Sequence, residues 1–203
     1  MRQEWDKWDM PASLRPYPEY KDSGVPWAGE IPRHWELSRN GRLFAQRNQT
    51  GRPDLPILEV SIRGGVAVRD LDAGARKQTL SQREGYKWAA KGDIAYNTMR
   101  MWQGAVGVAP TDGLISPAYV VVRPRADIDS RYFAYLFRTP AYMDEINSAS
   151  RVIVSDRNRL YWEDFKQISA TVPPLSEQLV IADYLDAHAA WTRRMIHGKQ
   201  RLI

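Results

Sequence analysis

The sequence predicts an α+β fold: a mixed domain of short twisted β-strands and a few helices, followed by a C-terminal helix that resembles a coiled-coil strand. Three observations predict it. Short β-rich segments bounded by Gly, Pro and Asp fill residues 36–125. The apolar spacing becomes helical after residue 130. Two prolines at 173–174 then precede a heptad-like stretch. We therefore assign residues 1–172 to the domain and 173–203 to the helix.

Composition limits the classes of function. The chain has 203 residues, a formal charge of +5, 43% hydrophobic residues and no cysteine. Disulfides and zinc–thiolate sites are therefore excluded. No apolar run approaches the ~20 residues of a membrane span, and the charged N-terminal segment lacks the apolar stretch of a signal peptide. We expect a cytoplasmic protein without a membrane partner, whose positive charge suits a polyanion.

Residues 1–35 are predicted to form an extended arm packed on the domain. Pro16, Pro18, Pro26 and Pro32 prevent a long helix in this part of the chain. The aromatic residues of the arm would fix it to the domain surface, and they are Tyr17, Tyr20, Trp27 and Trp35.

The middle of the chain predicts strands and then helices. The β-rich segments are 55–62, 92–96, 104–110 and 118–124. Ser130 is predicted to cap a helix over residues 131–138. Thr139 is the predicted cap of the next helix, because Pro140 suits its first position.

The C-terminal stretch predicts one long helix. Ser176 is the expected N-cap, with Leu175 and Val180 as a hydrophobic staple around it. Apolar and small residues then follow at spacings of three and four, and they are Ala182, Leu185, Ala189, Thr192, Ile196, Lys199 and Ile203. This seam either packs on its own domain or meets a partner helix. We favour the partner, with a subunit interface formed by Leu175, Ala182, Leu185, Ala189, Ile196 and Ile203.

A catalytic site is not predicted. The three histidines have no metal-ligand spacing, and neither a nucleophile elbow nor a phosphate-binding glycine loop is present. Asp54 and Glu59 are the best candidates for the acidic pair of a metal-dependent nuclease. The Pro53-Asp54 pair is more simply a turn before a strand, so we expect neither catalysis nor a metal.

Residues 92–107, "GDIAYNTMRMWQGAVG", place base-reading side chains on one connection between strands. Arginine recognises guanine, and asparagine or glutamine recognises adenine, through pairs of hydrogen bonds in the major groove. Asn97, Arg100 and Gln103 supply these residue types on a loop bounded by glycine. Trp102 is a further candidate contact to bases or sugars, although packing on its own sheet is the more ordinary role.

Further polar loops suit contacts to DNA phosphates. Arg151, Ser155, Arg157, Asn158 and Arg159 fall within residues 150–165, "SRVIVSDRNRLYWEDF". A solvated loop is the alternative interpretation of this stretch. Arg63, in "SIRGG" at 61–65, lies in a second loop of the same kind.

Four ordered motifs resemble one target-recognition half of the specificity subunit of type I restriction–modification enzymes. They are "YKDSGVPWAGEIPRHWE" (20–36), "GDIAYNTMRMWQGAVGV" (92–108), "GLISPAYVVVRP" (113–124) and "PPLSEQLVIADYLD" (173–186). The resemblance implies a domain that reads one half of a split double-stranded DNA target. It also implies a helix that acts as a spacer and docks a modification subunit, and through it a restriction subunit. S-adenosylmethionine would belong to the modification subunit, so no cofactor and no catalysis are expected here.

The chain departs from that family in having one recognition domain and one short helix instead of two of each. It is either a fragment or a half-length subunit that pairs with itself or with another half. A stand-alone protein-interaction or anti-restriction module with the same fold, lacking its own sequence-specific DNA binding, is the alternative function.

Overall fold

Short antiparallel strands and helices alternate along the chain in the computed structural model. The structure describes residues 16–69, 83–152 and 158–200, and for residues 151–152 and 197–200 it describes the backbone alone. The described strands are β1 Tyr20–Asp22, β2 Glu30–Pro32, β3 Glu36–Arg39, β4 Phe44–Gln46, β5 Leu58–Ser61, β6 Gly65–Val68, β7 Lys87–Ala89, β8 Ile94–Asn97, β9 Val106–Val108, β10 Gly113–Ile115, β11 Tyr119–Pro124, β12 Arg151–Val152, β13 Asn158–Arg159 and β14 Ser169–Val172. The helices are α1 Asn40–Leu43, α2 Ser130–Leu136, α3 Pro140–Ala149, α4 Trp162–Phe165 and α5 Leu175–Gln200, with a 3₁₀ turn at Met101–Gln103. The α+β prediction is confirmed.

A four-stranded antiparallel sheet in the order β4-β11-β8-β9 forms the centre of the domain. Because side chains alternate along a strand, its two faces carry different residues. Ile94 and Tyr96 face a core that includes Phe133 and Phe137 of the helical region. Ala95 and Val121 belong to a second core, together with Leu58, Val60 and Val66 of the β5–β6 hairpin. The sheet therefore lies between helices on one side and a hairpin on the other.

The β5–β6 hairpin packs directly on the backbone of β9. A Cβ atom at Gly107 would lie 2.6 Å from the backbone nitrogen of Val66 and 2.9 Å from the Cα of Gly65. Real Cβ atoms do not approach other atoms this closely, so only glycine fits at position 107. The hairpin tip is thereby held at a defined place above the central sheet.

Strands at the two ends of the domain meet each other. β3, which follows the N-terminal arm, pairs antiparallel with β14, which leads into α5, with Leu37 opposite Thr171. In the described part of the arm, the ring of Trp27 packs edge-on against Tyr142, at a centroid distance of 4.8 Å. Residues 1–15 lie outside the described part of the chain.

The predicted helix caps are right in one case and wrong in two. Thr139 caps α3 through a hydrogen bond from the Tyr142 amide, and Pro140 is the first helical residue. The cap of α2 is Asp129, whose carboxylate accepts a bond of 2.7 Å from the Arg131 amide. Ser130 instead donates to the carbonyl of Gly92 at 2.6 Å, because it is turned towards the central sheet.

The start of α5 also differs from the prediction. The amides of Glu177 and Gln178 both donate to the carbonyl of Pro174, so the helix begins at Leu175 and Ser176 lies inside its first turn. Leu175 and Val180 are exposed and form no buried staple. The buried amide of Gln178, which donates to the carbonyl of Pro173 at 2.8 Å, holds this turn instead. None of the helices in the described ranges is long and apolar enough to cross a membrane.

Candidate nucleic-acid interface

The loop after β8 is shaped by Asn97, which the sequence predicted to read DNA bases. Asn97 is 7% exposed, and its side-chain oxygen accepts a hydrogen bond of 3.0 Å from the Met99 amide. Its backbone carbonyl accepts another from the Arg100 amide. The side-chain oxygen is used to close the turn, so Asn97 supports the loop from a largely buried position, and its contact with bases stays a prediction.

Arg100 and Gln103 do reach the surface of the same loop. Arg100 is exposed and Gln103 is half-buried. Nη1 of Arg100 donates to Oε1 of Gln103 at 3.1 Å, which holds the two side chains side by side. Gly104 ends the loop in the left-handed conformation, at a φ of 84°, which glycine adopts without strain. The pair is thus presented from a rigid turn.

Trp102 has the more ordinary of its two predicted roles. Its ring packs against the core of the domain, and its Nε1 donates to the carbonyl of Met99 at 3.1 Å. Met101 is fully buried beside it. These two residues anchor the loop, and the apolar side chain that stays exposed is Met99.

Arg138, which the sequence analysis missed, connects the Arg100 loop to the hairpin that carries Arg63. Arg63 is exposed at the β5–β6 tip. Nη2 of Arg138 donates to the carbonyl oxygens of Ile62, at 2.6 Å, and of Arg63, at 3.1 Å. A Cβ atom at Gly104 would lie 3.8 Å from Cγ of Arg138. We refer to Arg63, Arg100, Gln103 and Arg138 as the recognition surface.

The described part of residues 150–165, the segment predicted to contact phosphates, adjoins the loop that carries Arg100. Asn158 donates to the side-chain oxygen of Asn147 at 2.6 Å, so its amide is engaged within the domain. Arg159 is half-buried: its Nη1 donates to the hydroxyl of Tyr161 at 3.4 Å, and its Nε is buried without a hydrogen-bond partner among the described residues. The amide of Leu160 donates to the carbonyl of Thr98, which brings this segment against the loop. Ser155 and Arg157 lie outside the described residues, and only the backbone of Arg151 is described.

A groove of about 380 Å³ separates Arg159 from the opposite wall of the domain. Met99 and Tyr119 line it with Lys87. Partial burial lowers the pKa of Lys87, whose Nζ donates to the carbonyl of Tyr119 at 2.7 Å. Arg159 lines this groove beside Lys87, and the positive charge of its guanidinium suits a contact to a DNA phosphate.

The predicted seam of α5 is divided between two environments. Ala182 is fully buried in the core of its own domain, so its side chain packs within the chain and not on the exposed surface of the helix. Leu185 and Ala189 are half-buried on the same side, whereas Leu175 and Ile196 are exposed. Ile203 lies outside the described residues. The domain is wide enough to cover the first half of the seam only.

A second apolar row runs along the opposite side of α5. Its members follow one another at spacings of three or four residues, and they are Val180, Tyr184, His188, Trp191 and Met195. The ring of His188 lies 6.2 Å from that of Tyr184 and 5.9 Å from that of Trp191. Met195 is 49% exposed. We call this row the outer face of α5.

Arg131 fastens α5 to α2. Its guanidinium donates to Asp129 at 2.8 Å, to Asp183 at 2.7 Å and to Asp186 at 3.0 Å. Hydrogen bonds to Asp129 and Asp183 raise the pKa of Arg131 above its ordinary value. Burial, together with a bond of 2.6 Å to Asp186, raises the pKa of Tyr135 to about 12.

Glu177 and Gln178, near the start of α5, join three parts of the chain. Glu177 accepts hydrogen bonds from Tyr17 at 2.8 Å and Trp35 at 2.9 Å. Partial burial by itself would raise the pKa of Glu177, but hydrogen bonds from Trp35, Tyr17 and His34 outweigh it and lower the pKa. The side-chain oxygen of Gln178 accepts from the Asp129 amide at 2.9 Å, which ties α5 to the start of α2.

The acidic pair proposed for a nuclease is not assembled into a site. Asp54 lies in a turn and Glu59 on the exposed side of β5. Within the described ranges, no group of three or more His, Cys, Asp or Glu side chains is placed to hold a metal ion.

Comparison with known proteins gives matches of two kinds. A family model described as the type I restriction modification DNA specificity domain matches residues 35–203. The HsdS subunit from Thermoanaerobacter tengcongensis has a similar structure, with a TM-score of 0.54 and 18% identity over 88% of this chain and 42% of that one. A search of curated proteins finds no significant match.

Two further solved structures have the same fold. One comes from work on complex assembly and conformational transition of the type I R-M system, with a TM-score of 0.56 and 18% identity over 88% of this chain and 43% of that one. The other is the S subunit of a type I restriction-modification system from M. genitalium, with a TM-score of 0.51 and 11% identity over 82% of this chain and 42% of that one. The chain therefore spans about two fifths of the length of the solved structures that it matches.

Proposed function

Since the chain belongs to the family of type I restriction modification DNA specificity domains, we propose that it recognises a DNA sequence and leaves the chemistry to a partner. The observation that carries this proposal is the Arg100–Gln103 pair at the surface of a loop that Asn97 and Trp102 hold in place. A fixed loop does not have to be ordered on binding, so less free energy is lost when it meets DNA.

The recognition surface has the chemistry that base reading requires. A guanidinium can bind O6 and N7 of guanine together, and a glutamine amide can bind N6 and N7 of adenine. Arg100 and Gln103 supply these two groups side by side. Arg63 and Arg138 add positive charge next to them, and Arg159 adds charge on another flank, for the phosphates of the same duplex.

The outer face of α5 supports a protein partner. Exposed apolar side chains in a row are unfavourable in water, and such rows mark sites of protein association. We propose that this face contacts either a second copy of the chain or a modification subunit that methylates adenine with S-adenosylmethionine, and through it a restriction subunit. In this arrangement the chain reads one half of a two-part target and holds no cofactor of its own.

The same outer face favours one alternative function, a protein-interaction module without sequence-specific DNA binding. A selection experiment distinguishes the two. Randomised duplexes are bound to the chain, alone and with a modification subunit, and the retained DNA is sequenced. The proposed function predicts an enriched sequence motif in at least one of the two samples. If both samples retain DNA without an enriched motif, or if both retain no DNA, the result would establish the alternative.

A further inference from the structure

A groove of about 430 Å³ lies between the β5–β6 hairpin, α2 and α5. Arginines from all three elements line it, and they are Arg63, Arg131, Arg138 and Arg193. Asp186 is the carboxylate among the lining residues. Because Arg63 also belongs to the recognition surface, the groove is continuous with the surface proposed to meet DNA.

The positive charge of this groove is only partly compensated. The positive charge of Arg131 is paired with the carboxylates of Asp129, Asp183 and Asp186. By contrast, Arg63, Arg138 and Arg193 form no ion pair with any carboxylate in the described ranges. Three like charges in one groove repel one another unless an anion lies between them.

Arg138 has donors left for such an anion. A guanidinium carries five N–H groups, and Arg138 uses Nη2 for the hairpin carbonyls. Nη1 and Nε therefore remain available. A Cβ atom at Gly65 would lie 3.5 Å from Nη1, so the glycine leaves this side of the guanidinium open.

We propose that the groove binds a phosphate group of the DNA backbone next to the bases that the recognition surface reads. Arg138 and Arg193 are its main ligands, since arginine binds phosphate oxygens through two parallel hydrogen bonds. Arg193 is part of α5, so the long helix itself contacts DNA in addition to docking a partner. This inference rests on the proposed DNA binding, and it extends the contact from the loops to the helix.

Arg193 is the better residue to test, because Arg138 also holds the hairpin. The neighbouring Arg194 is also exposed and has the same charge, but it does not line the groove, so Arg194→Gln is a matched control. The full chain and the variants Arg193→Gln and Arg194→Gln are titrated with a random duplex of about 30 base pairs over a range of salt concentrations, with fluorescence anisotropy as the signal. Loss of one phosphate contact lowers the slope of log K against log salt by about 0.9.

We expect that reduction for Arg193→Gln and less than half of it for Arg194→Gln. Equal slopes for the two variants, with DNA binding by the unmodified chain intact, would overturn the groove as a phosphate site and leave the proposed function standing. Absence of DNA binding by the unmodified chain at every salt concentration, both alone and with a modification subunit, would overturn both. If Arg193→Gln instead loses a modification subunit and keeps its salt slope, the groove binds an acidic protein and the inference is wrong.

Discussion

Nε2 of His34 lies 2.6 Å from Oε1 of Glu177, although 143 residues separate them in the sequence. The same carboxylate accepts hydrogen bonds from Tyr17 and Trp35. One side chain at the start of α5 thus holds the described end of the N-terminal arm. The arm and the helix are therefore expected to respond together when this carboxylate is changed.

Glu177→Gln keeps the shape of the side chain and removes its charge. Because hydrogen bonds to a charged group contribute about 1.5 to 3 kcal/mol each, we expect the free energy of unfolding to fall by about 2 kcal/mol, measured by urea denaturation. Glu163→Gln is the control, since Glu163 is exposed and its ion pair among the described residues is with Lys166. It should change the free energy by less than about 0.5 kcal/mol.

Glu177→Gln should also change how the stability of the chain depends on pH. The pKa of Glu177 is lower in the folded chain than its ordinary value of 4.5, so its contribution to stability is complete above that pH and is lost as the pH falls through the folded value. The unmodified chain should therefore lose stability more steeply below pH 4.5 than Glu177→Gln does. Parallel curves for the two proteins would show that this carboxylate does not hold the arm.

Arg100→Ala and Gln103→Ala are expected to reduce discrimination between a selected duplex and a scrambled one. Each lost pair of base contacts should cost about 1–3 kcal/mol on the selected sequence and little on the other. Competition binding with the two duplexes measures the difference. Arg125 is an exposed charge just beyond the C-terminal end of β11. Arg125→Ala should leave discrimination unchanged. Equal weakening on both duplexes would assign Arg100 and Gln103 to phosphate binding or to loop structure.

Replacement of Arg157 or Arg159 by glutamine should weaken binding to every sequence. A phosphate contact carries no base information, so each substitution should lower the salt slope by about one. Salt titrations with a selected and a scrambled duplex make the comparison. An altered sequence preference at an unchanged slope would instead place these arginines at base edges.

Trp191→Asp combined with Met195→Asp should abolish association of the chain with itself or with a modification subunit. Burial of apolar surface contributes about 25 cal/mol per Å², and both side chains lie on the outer face of α5. Sedimentation velocity measures the association, and the melting temperature should change less than it does in Leu185→Asp. Leu185→Asp, on the half-buried side, should lower the melting temperature instead. An unmodified chain that stays monomeric at high micromolar concentration and ignores the modification subunit contradicts this role for the helix.

Gly107→Ala should displace the hairpin that carries Arg63. The new Cβ atom would meet backbone atoms of Val66 and Gly65, and overpacking of this kind costs about 1–3 kcal/mol. Thermal unfolding measures the loss, and DNA affinity should fall with it. Ala67→Val enlarges an exposed side chain of the same hairpin and should have little effect. Unchanged stability of Gly107→Ala would mean that the hairpin is free to move on β9.

The strands and helices of this protein could be predicted from the sequence because their signals are local. The strand at 94–97, the Thr139–Pro140 helix start and the long final helix all follow from apolar spacing and turn residues within a few positions. The exposure of the Arg100 side chain could be predicted in the same way, since a short polar loop between strands usually faces water.

Tertiary structure alone decided which polar side chains point outward and which face of α5 is covered. Asn97 and Arg100 belong to one loop and one residue class, yet Asn97 turns inward because the amide of Met99 needs an acceptor. Arg138 connects two loops only because Gly65 and Gly107 let the hairpin approach β9. The two apolar rows of α5 have similar spacing, and Ala182 is buried while Met195 is exposed because the domain reaches only the first half of one row. Such choices depend on contacts between residues far apart in the chain, and local spacing carries no information about them.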